Sequence, residues 1–327
     1  MRPKTSSLPH MKILVTGSTG HLGEALIRTL KNSRHHVIGL DIAPSEFTDV
    51  VGSIADRAFV DQAMHGVDAV LHTATLHKPH VATHRHQDFV DTNVSGTLNL
   101  LEAAVSAGTR TFIFTSTTST FGDALTPPKG SPAAWITEEV APVPKNIYGA
   151  TKCAAEDLCQ LFHRNHGLAC LVLRTSRFFP EEDDQKEVSD AYAGDNIKAN
   201  ELLYRRVDIE DVVGAHLLAL ERAAMIGFDR YIISATTPFT EEDLVELRID
   251  APSVLRRRVP EFEAIYAAHK WRMFPAIDRV YVNERARNIL GWRPTYDFRR
   301  VLNSVREAED PRSPLARRIG AKGYHAH

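Results

Sequence analysis

In the first half of the chain the apolar residues fall into two kinds of stretch. Short continuous runs at Met11–Thr16, His36–Leu40, Val50–Val51, Val67–Leu71 and Thr111–Ser116 alternate with longer stretches in which apolar positions recur every three or four residues. The runs read as strands covered on both faces, and the periodic stretches as amphipathic helices. Leu22, Ala25, Leu26, Thr29 and Leu30 share one helix face, and Asp56–His65 forms a second helical stretch. Phe89, Val90, Val94, Leu98, Leu101 and Val105 mark a long helix over about 87–107, and Ala154, Ala155, Leu158, Leu161 and Phe162 mark another over about 146–166. Strands alternating with helices predict an α/β fold, a doubly wound parallel sheet with helices on both faces.

The first strand and helix are joined by Gly17-Ser-Thr-Gly20-His-Leu-Gly23, and the second strand closes on Asp41, 24 residues after Gly17. Glycine takes backbone angles denied to other residues, and its missing side chain lets the backbone approach a pyrophosphate. The helix start offers N–H groups and a partial positive charge to that anion. An acid ending the second strand accepts hydrogen bonds from ribose hydroxyls and repels a 2′-phosphate. Ile42, Ala43 and Pro44 follow Asp41, so no arginine stands there to welcome one. The unit therefore predicts a dinucleotide site that prefers NAD.

Composition narrows the picture by exclusion. Hydrophobic residues make up 43% and charged residues 24%, ordinary for a folded water-soluble protein. With 39 Lys+Arg against 41 Asp+Glu the net charge is −2, which argues against a dedicated nucleic-acid or anionic-membrane binder. No apolar run reaches the roughly 18 residues of a membrane span. Cys153, Cys159 and Cys170 form neither a disulfide framework nor a metal-ligand pattern and suit a reducing compartment. Residues 1–10 lack a signal-peptide core, so a cytoplasmic protein is expected.

Tyr148-Gly-Ala-Thr-Lys152 opens the helix near 146–166 and puts Tyr148 and Lys152 on one face. A phenol titrates near 10, too high for a good base at neutral pH. A nearby ammonium is expected to lower that value, letting Tyr148 move a proton while hydride moves at carbon. A hydroxyl-rich strand end, Thr115-Ser-Thr-Thr-Ser-Thr120, precedes the pair.

Together these motifs resemble the extended short-chain dehydrogenase/reductases, the group of NAD-dependent sugar epimerases and dehydratases, over about residues 11–300. The resemblance implies a Rossmann-type domain with a small C-terminal substrate lobe. It matches Gly17, Gly20 and Gly23 to the cofactor loop, Asn93 to an asparagine of the helix before the active-site strand, and Tyr148 and Lys152 to the catalytic pair. It puts Thr117 at the catalytic Ser/Thr position, with Ser116 as second choice because a one-residue slip changes the exposed face. It further implies cofactor contacts from Thr19, His21, Leu22, Asp41, Ser53, Ile54, Thr73, Ala74, Thr75 and Thr115, and a substrate contact from Thr118. Gly291-Trp292-Arg-Pro294 and Arg206-Val-Asp-Ile-Glu-Asp211 resemble later family segments. A homodimer through the 87–107 and 146–166 helices is implied by resemblance alone.

Departures from the pattern redirect the substrate. Thr118-Ser119 stands where sugar dehydratases carry Asp-Glu, so elimination of water is not expected. Arg174-Thr-Ser-Arg177-Phe-Phe-Pro180 replaces the nucleotide-sugar Arg-x-x-Asn-x-Tyr-Gly-Pro, and the late Arg-x-Gly-Asp element is missing. Arg177 and Arg206 suit either a clamp on a substrate carboxylate or phosphate, or a structural ion pair with Glu181–Asp184. His72, His77, His80, His84 and His86 crowd one region. No metal site is expected from them, while His77 and His80 are candidate substrate contacts beside the nicotinamide. Arg256–Arg258 reads as a solvated charge run, and Trp271, Met273 and Phe274 as core.

The expected organisation is a tail or cloning scar at 1–10, an NAD-binding domain with the catalytic pair at 11–174, and a mixed segment at 175–310. That segment holds a substrate lobe at about 175–207 and 235–280. A tail or short helix at 311–327 completes the chain. The expected activity is hydride transfer on a sugar-like alcohol or ketone, with epimerase-like internal redox ahead of net dehydrogenation and of a non-catalytic NAD-binding regulator.

Overall fold

A computed structural model describes residues 10–181 and 190–323. Nine strands are named in chain order: β1 Lys12–Thr16, β2 His36–Asp41, β3 Val50–Val51, β4 Ala69–His72, β5 Thr111–Thr117, β6 Ala134–Ile136, β7 Ala169–Thr175, β8 Phe228–Ile233 and β9 Arg279–Tyr281. Seven form one sheet in the order β3-β2-β1-β4-β5-β7-β8, and β6 pairs β9 separately. The order turns back between β1 and β4, the kind of switch point where such sheets bind ligands. Register aligns the strand ends there: Thr16 lies opposite Leu40 of β2 and opposite His72 of β4. The strands are parallel, so their carboxyl ends, with Gly17, Asp41 and Thr73 beyond or upon them, gather at one edge.

The chain divides into two compact units. The first holds the described residues up to Thr115, with Ala154–Val172 and His216–Asp229. Its core packs Leu14, Leu40, Val70, Leu100, Phe112 and Phe114 from the sheet and its helices. The second holds Ser116–Cys153, Leu173–Ala215 and the described residues from Arg230 onward, around Leu203, Leu247, Val254, Phe274, Val280 and Phe298.

The helices up to Ile226 include α1 His21–Leu30, α2 Arg57–Ala63, α3 His86–Phe89, α4 Gly96–Ala107, α5 Ile147–His166, α6 Gly194–Leu202 and α7 Ile209–Ile226. The single long helix expected over 87–107 is instead α3, a π-helical stretch at Val90–Ser95, and α4. A widened turn of this kind redirects side chains and recurs at functional sites. In the second unit Asp211, near the start of α7, ties down the Gly291–Pro294 segment. Its carbonyl accepts from the Trp292 indole at 3.0 Å, and its carboxylate from the Thr295 and Tyr296 amides at 2.7 and 2.8 Å. Met273 and Phe274 are core as expected, and Arg256–Arg258 pair with Glu263, Glu246 and Asp243. The last described helix is α8, Pro314–Ile319, capped by Ser313. Residues 1–9, Glu182–Asp184 of the acidic run, and residues 324–327 lie outside the described residues.

Candidate active site

The candidate residues of the glycine loop and the β2 end belong to the first unit. Gly17 has φ +74°, and a Cβ there would stand 2.7 Å from the Ala74 amide nitrogen. A Cβ on Gly23 would stand 1.9 Å from the Gly17 carbonyl oxygen. The loop is thus closed by backbone-to-backbone packing that only glycine permits. The Gly17 and Ser18 amides donate to the Leu40 carbonyl, at 2.8 and 3.2 Å, tying the loop to β2. Gly20 precedes α1 and offers no side chain to cap it, which suits a helix start that receives an anion.

Thr16, which sequence reasoning passed over, is the hub of this half. Its hydroxyl oxygen accepts from the Thr73 and Ala74 amides, both at 3.2 Å, and contacts buried His72 Nδ1 at 2.7 Å. The Thr73 hydroxyl donates to the Thr16 carbonyl at 2.6 Å. His72 meets Thr97 through its other nitrogen at 3.0 Å, so its ring is committed within the core. Asp41 lies at the end of β2 with one carboxylate oxygen receiving the Thr19 amide and hydroxyl, and the other the Ala43 amide at 3.0 Å. Carboxylate oxygens carry about four acceptor positions in all, which leaves room for a ribose hydroxyl.

Asn93, inside the π-helical stretch, is buried and grips the segment after β4. Its Oδ1 accepts from the Thr75 hydroxyl and the Leu76 amide, and its Nδ2 donates to the Leu76 carbonyl. The same segment continues to His77 and His80, where the His77 amide donates to His80 Nδ1 at 3.0 Å and the rings meet edge-on. Ser53 and Ile54 lie in the turn before α2, with Ile54 buried against Gly96. Thr115 contacts Nε2 of fully buried His216 at 2.8 Å, a histidine sequence reasoning did not single out. Among the described residues no group of three or more His, Cys, Asp or Glu is placed to hold a metal ion.

The candidate catalytic residues belong to the second unit. Asn146 accepts the Gly149 amide at 3.0 Å and starts α5, which carries buried Tyr148 and Lys152 one turn apart. A Cβ on Gly149 would stand 2.9 Å from the Ser119 carbonyl oxygen, so glycine lets the helix start lie against the turn that follows β5. Thr117 ends β5, and its hydroxyl oxygen accepts the Ser119 amide at 3.1 Å. The Thr117 side chain also hydrogen-bonds Tyr148. Ser116 is buried with its carbonyl accepting the Thr175 hydroxyl, and Thr118 is buried at the start of the next turn.

Burial raises the Tyr148 phenol to about 12 against the lowering pull of Thr117. The expected fall below 10 is reversed, because a phenolate stripped of water costs more than one hydrogen bond returns. Arg206 Nε lies 2.6 Å from Glu201 of α6, and its Nη1 donates to the Phe179 carbonyl. Its acidic partner among the described residues is thus a buried glutamate five residues earlier. Arg177 donates to the Glu181 carbonyl at 3.0 Å.

The profile of the NAD dependent epimerase/dehydratase family matches residues 13–233. A UDP-glucose 4-epimerase of Rhizobium leguminosarum bv. trifolii is 28% identical over 90% of this chain and 95% of its own length. A uronate dehydrogenase of Pseudomonas syringae pv. tomato is 26% identical over 76% of this chain and 88% of its own. Among solved structures, a short-chain dehydrogenase/reductase superfamily protein from Agrobacterium tumefaciens with bound NAD superposes with a TM-score of 0.64. It is 24% identical and covers 94% of this chain and 99% of its own, a likeness of fold. The uncapped glycine loop and the acid ending β2 fit the dinucleotide this family uses, and the chain belongs to the NAD dependent epimerase/dehydratase family, as an NAD-dependent enzyme.

Proposed function

We propose that this enzyme transfers hydride at a carbinol or ketone carbon of a sugar-like substrate, with Tyr148 moving the proton, Thr117 orienting the substrate oxygen and Lys152 supporting the charge on Tyr148. The observation that carries this reading is the buried Tyr148–Thr117 hydrogen bond, one helical turn from Lys152. Bound NAD supplies the hydride acceptor and donor. An alcohol that loses hydride also loses its hydroxyl proton, so a base must touch that oxygen. A phenol raised to about 12 is protonated at neutral pH, so it can serve directly as the acid that protonates the oxygen of a ketone receiving hydride, and to take an alcohol's proton it must release its own to solvent or a relay in the same step. The Ser119 amide fixes Thr117 from behind and leaves the Thr117 proton to point forward. On this reading the Gly17–Gly23 loop receives the pyrophosphate, Asp41 the adenosine ribose, and Asn93 keeps the Thr75–Leu76 segment in place beside the nicotinamide.

Within this chemistry we favour internal redox of the epimerase kind, supported by the 4-epimerase relative that spans nearly the whole chain. Net dehydrogenation of a sugar or sugar acid is the second reading, supported by Arg177 in the place of the nucleotide-sugar asparagine and by the uronate dehydrogenase relative. An acid extract of freshly purified protein, assayed for nicotinamide nucleotides, separates them. Near-stoichiometric NAD that survives purification supports recycling of the cofactor. A site that binds NAD reversibly supports net dehydrogenation, and retained NADP contradicts the role given to Asp41.

A further inference from the structure

The end of the described chain, Ser313 to Gly323, is fastened to the second unit by carboxylates that accept its backbone amides. The Ser313 amide donates to Asp208 and the Leu315 amide to Glu210, both at 3.2 Å, where α7 starts. At the far end the Lys322 and Gly323 amides donate to one oxygen of Glu181, at 3.0 and 3.3 Å. Between the two grips lies α8, a helix of six residues, too short to keep its shape without outside contacts. Ser313 and Ile319 are buried, whereas Arg317 and Arg318 are exposed. A segment with so little buried apolar surface opens at a lower free energy than the fold as a whole. It has the build of a strap: pinned at both ends through its backbone and lightly packed between.

Glu181 closes a loop that starts at the catalytic edge of the sheet. Thr175 ends β7, the neighbour of β5, and its hydroxyl donates to the Ser116 carbonyl at 3.0 Å, next to Thr117. Two residues on, Arg177 makes a parallel bridge: its amide donates to the Arg205 carbonyl at 3.2 Å, and its carbonyl accepts the Val207 amide at 3.0 Å. The Phe178 and Phe179 rings follow, 4.3 Å apart between centroids. Two guanidiniums then hold the loop's carbonyls, Arg206 at Phe179 and Arg177 at Glu181, at 2.9 and 3.0 Å. Arg206 is itself fixed by Glu201, which Arg205 also reaches, each at 2.6 Å. Glu181 therefore joins two systems: its main-chain carbonyl takes the Arg177 guanidinium, and its carboxylate takes the strap. Bonds from amides to an ionised carboxylate are stronger than those to a neutral oxygen, so the side chain carries a substantial share of that link.

We propose that Glu181 is a positioning residue: by taking the Lys322 and Gly323 amides it locks the C-terminal strap to the Arg177–Glu181 loop, and so fixes that loop beside the carbon that exchanges hydride. Substrate affinity then depends on the strap, and NAD affinity does not. This deepens the hydride-transfer reading and rests on it for the place of the reacting carbon. The test is amide hydrogen exchange, resolved to single residues, on the NAD-loaded full chain and on its Glu181→Ala and Glu181→Gln variants. Steady-state kinetics accompany it, on whichever of D-glucuronate, D-galacturonate and UDP-galactose the parent turns over. Glu181→Ala should speed exchange at least tenfold at Lys322 and at the Arg177 and Val207 amides of the bridge, and leave the Gly17 amide unchanged. It should raise KM at least fivefold while kcat and NAD affinity stay within twofold. Glu181→Gln keeps an oxygen that accepts the strap amides, so it should recover most of both losses. Unchanged exchange at Lys322 in Glu181→Ala overturns the strap, and faster exchange there with an undisturbed bridge overturns its hold on the loop. Unchanged KM with strap and bridge both loosened overturns the positioning role. Turnover of none of the three sugars by the parent sinks the hydride reading, and the exchange rates alone then uphold or overturn the lock.

Discussion

Replacing Gly23 with alanine tests how the cofactor loop is built. The new Cβ would lie 1.9 Å from the Gly17 carbonyl oxygen, 2.6 Å from its carbon and 2.9 Å from Ser18 Cα. All three are backbone atoms, and Cβ contacts under 3.0 Å essentially never occur, so the loop must open by about 1 Å. Gly17 cannot yield cheaply, because its amide is bonded to Leu40 and it lies against Ala74. Helix propensity alone would favour alanine by ~1 kcal/mol. Overpacking costs ~1–3 kcal/mol, so the fold should lose little or about 2 kcal/mol net. The cofactor should lose more. Displacing two amide donors from a pyrophosphate forfeits ~1.5–3 kcal/mol each, hence a ~100-fold or greater weakening of NAD. NAD titration by calorimetry, alongside thermal unfolding with and without NAD, measures both. Gly66→Ala is the control: it has φ +67° but nothing within 4 Å of a new Cβ, so it should cost ~1–2 kcal/mol of stability and leave NAD affinity alone. NAD affinity within threefold of the parent in Gly23→Ala would refute the reasoning.

Thr117→Val removes the contact that lowers the Tyr148 phenol, so its ionisation should move further up in an absorbance titration read as the difference from Tyr148→Phe; a downward move contradicts the assignment. Gly149→Ala should push the α5 start from the Ser119 carbonyl and cut turnover at least tenfold at unchanged NAD affinity, with parent-like turnover counting against it. Glu201 has its carboxyl held near 2, below the ordinary value of 4.5, so its stabilisation is present above about 4.5 and is lost as pH falls toward 2. The shift corresponds to ~3 kcal/mol, and Glu201→Gln should flatten the acid limb of a urea-unfolding series while lowering stability at neutral pH, where the arginines are left uncompensated.

What was legible in the sequence followed from local pattern. The run Lys12–Thr16, the glycine turn and α1 form one contiguous signal, and Asp41 ends β2 because the apolar run stops there. Tyr148 and Lys152 share a face because they are four apart on a helix that the apolar period marks. The unread parts are long-range and polar. Thr16 bonds Thr73 and Ala74, His72 bonds Thr97, His216 bonds Thr115, and Asp211 anchors Trp292. Such bonds join residues far apart in sequence and leave no periodic trace. The π-helical stretch escaped for a related reason, since the apolar period of 87–107 survives one wide turn, and only the grip of Asn93 on Leu76 shows what that turn does. The sign of the Tyr148 shift depended on burial, which a four-residue spacing does not report.

The account turns on Tyr148 as the group that moves the proton. Tyr148→Phe keeps the ring and its packing but removes the oxygen that meets Thr117. The measurement is single-turnover NADH formation, followed at 340 nm, on mixing NAD-loaded protein with a panel of D-glucuronate, D-galacturonate and UDP-galactose, each also checked for the epimer formed. The account predicts a signal or epimer with the parent, a loss of at least 100-fold in Tyr148→Phe, and NAD affinity within twofold of the parent. Turnover in Tyr148→Phe equal to the parent's would contradict it.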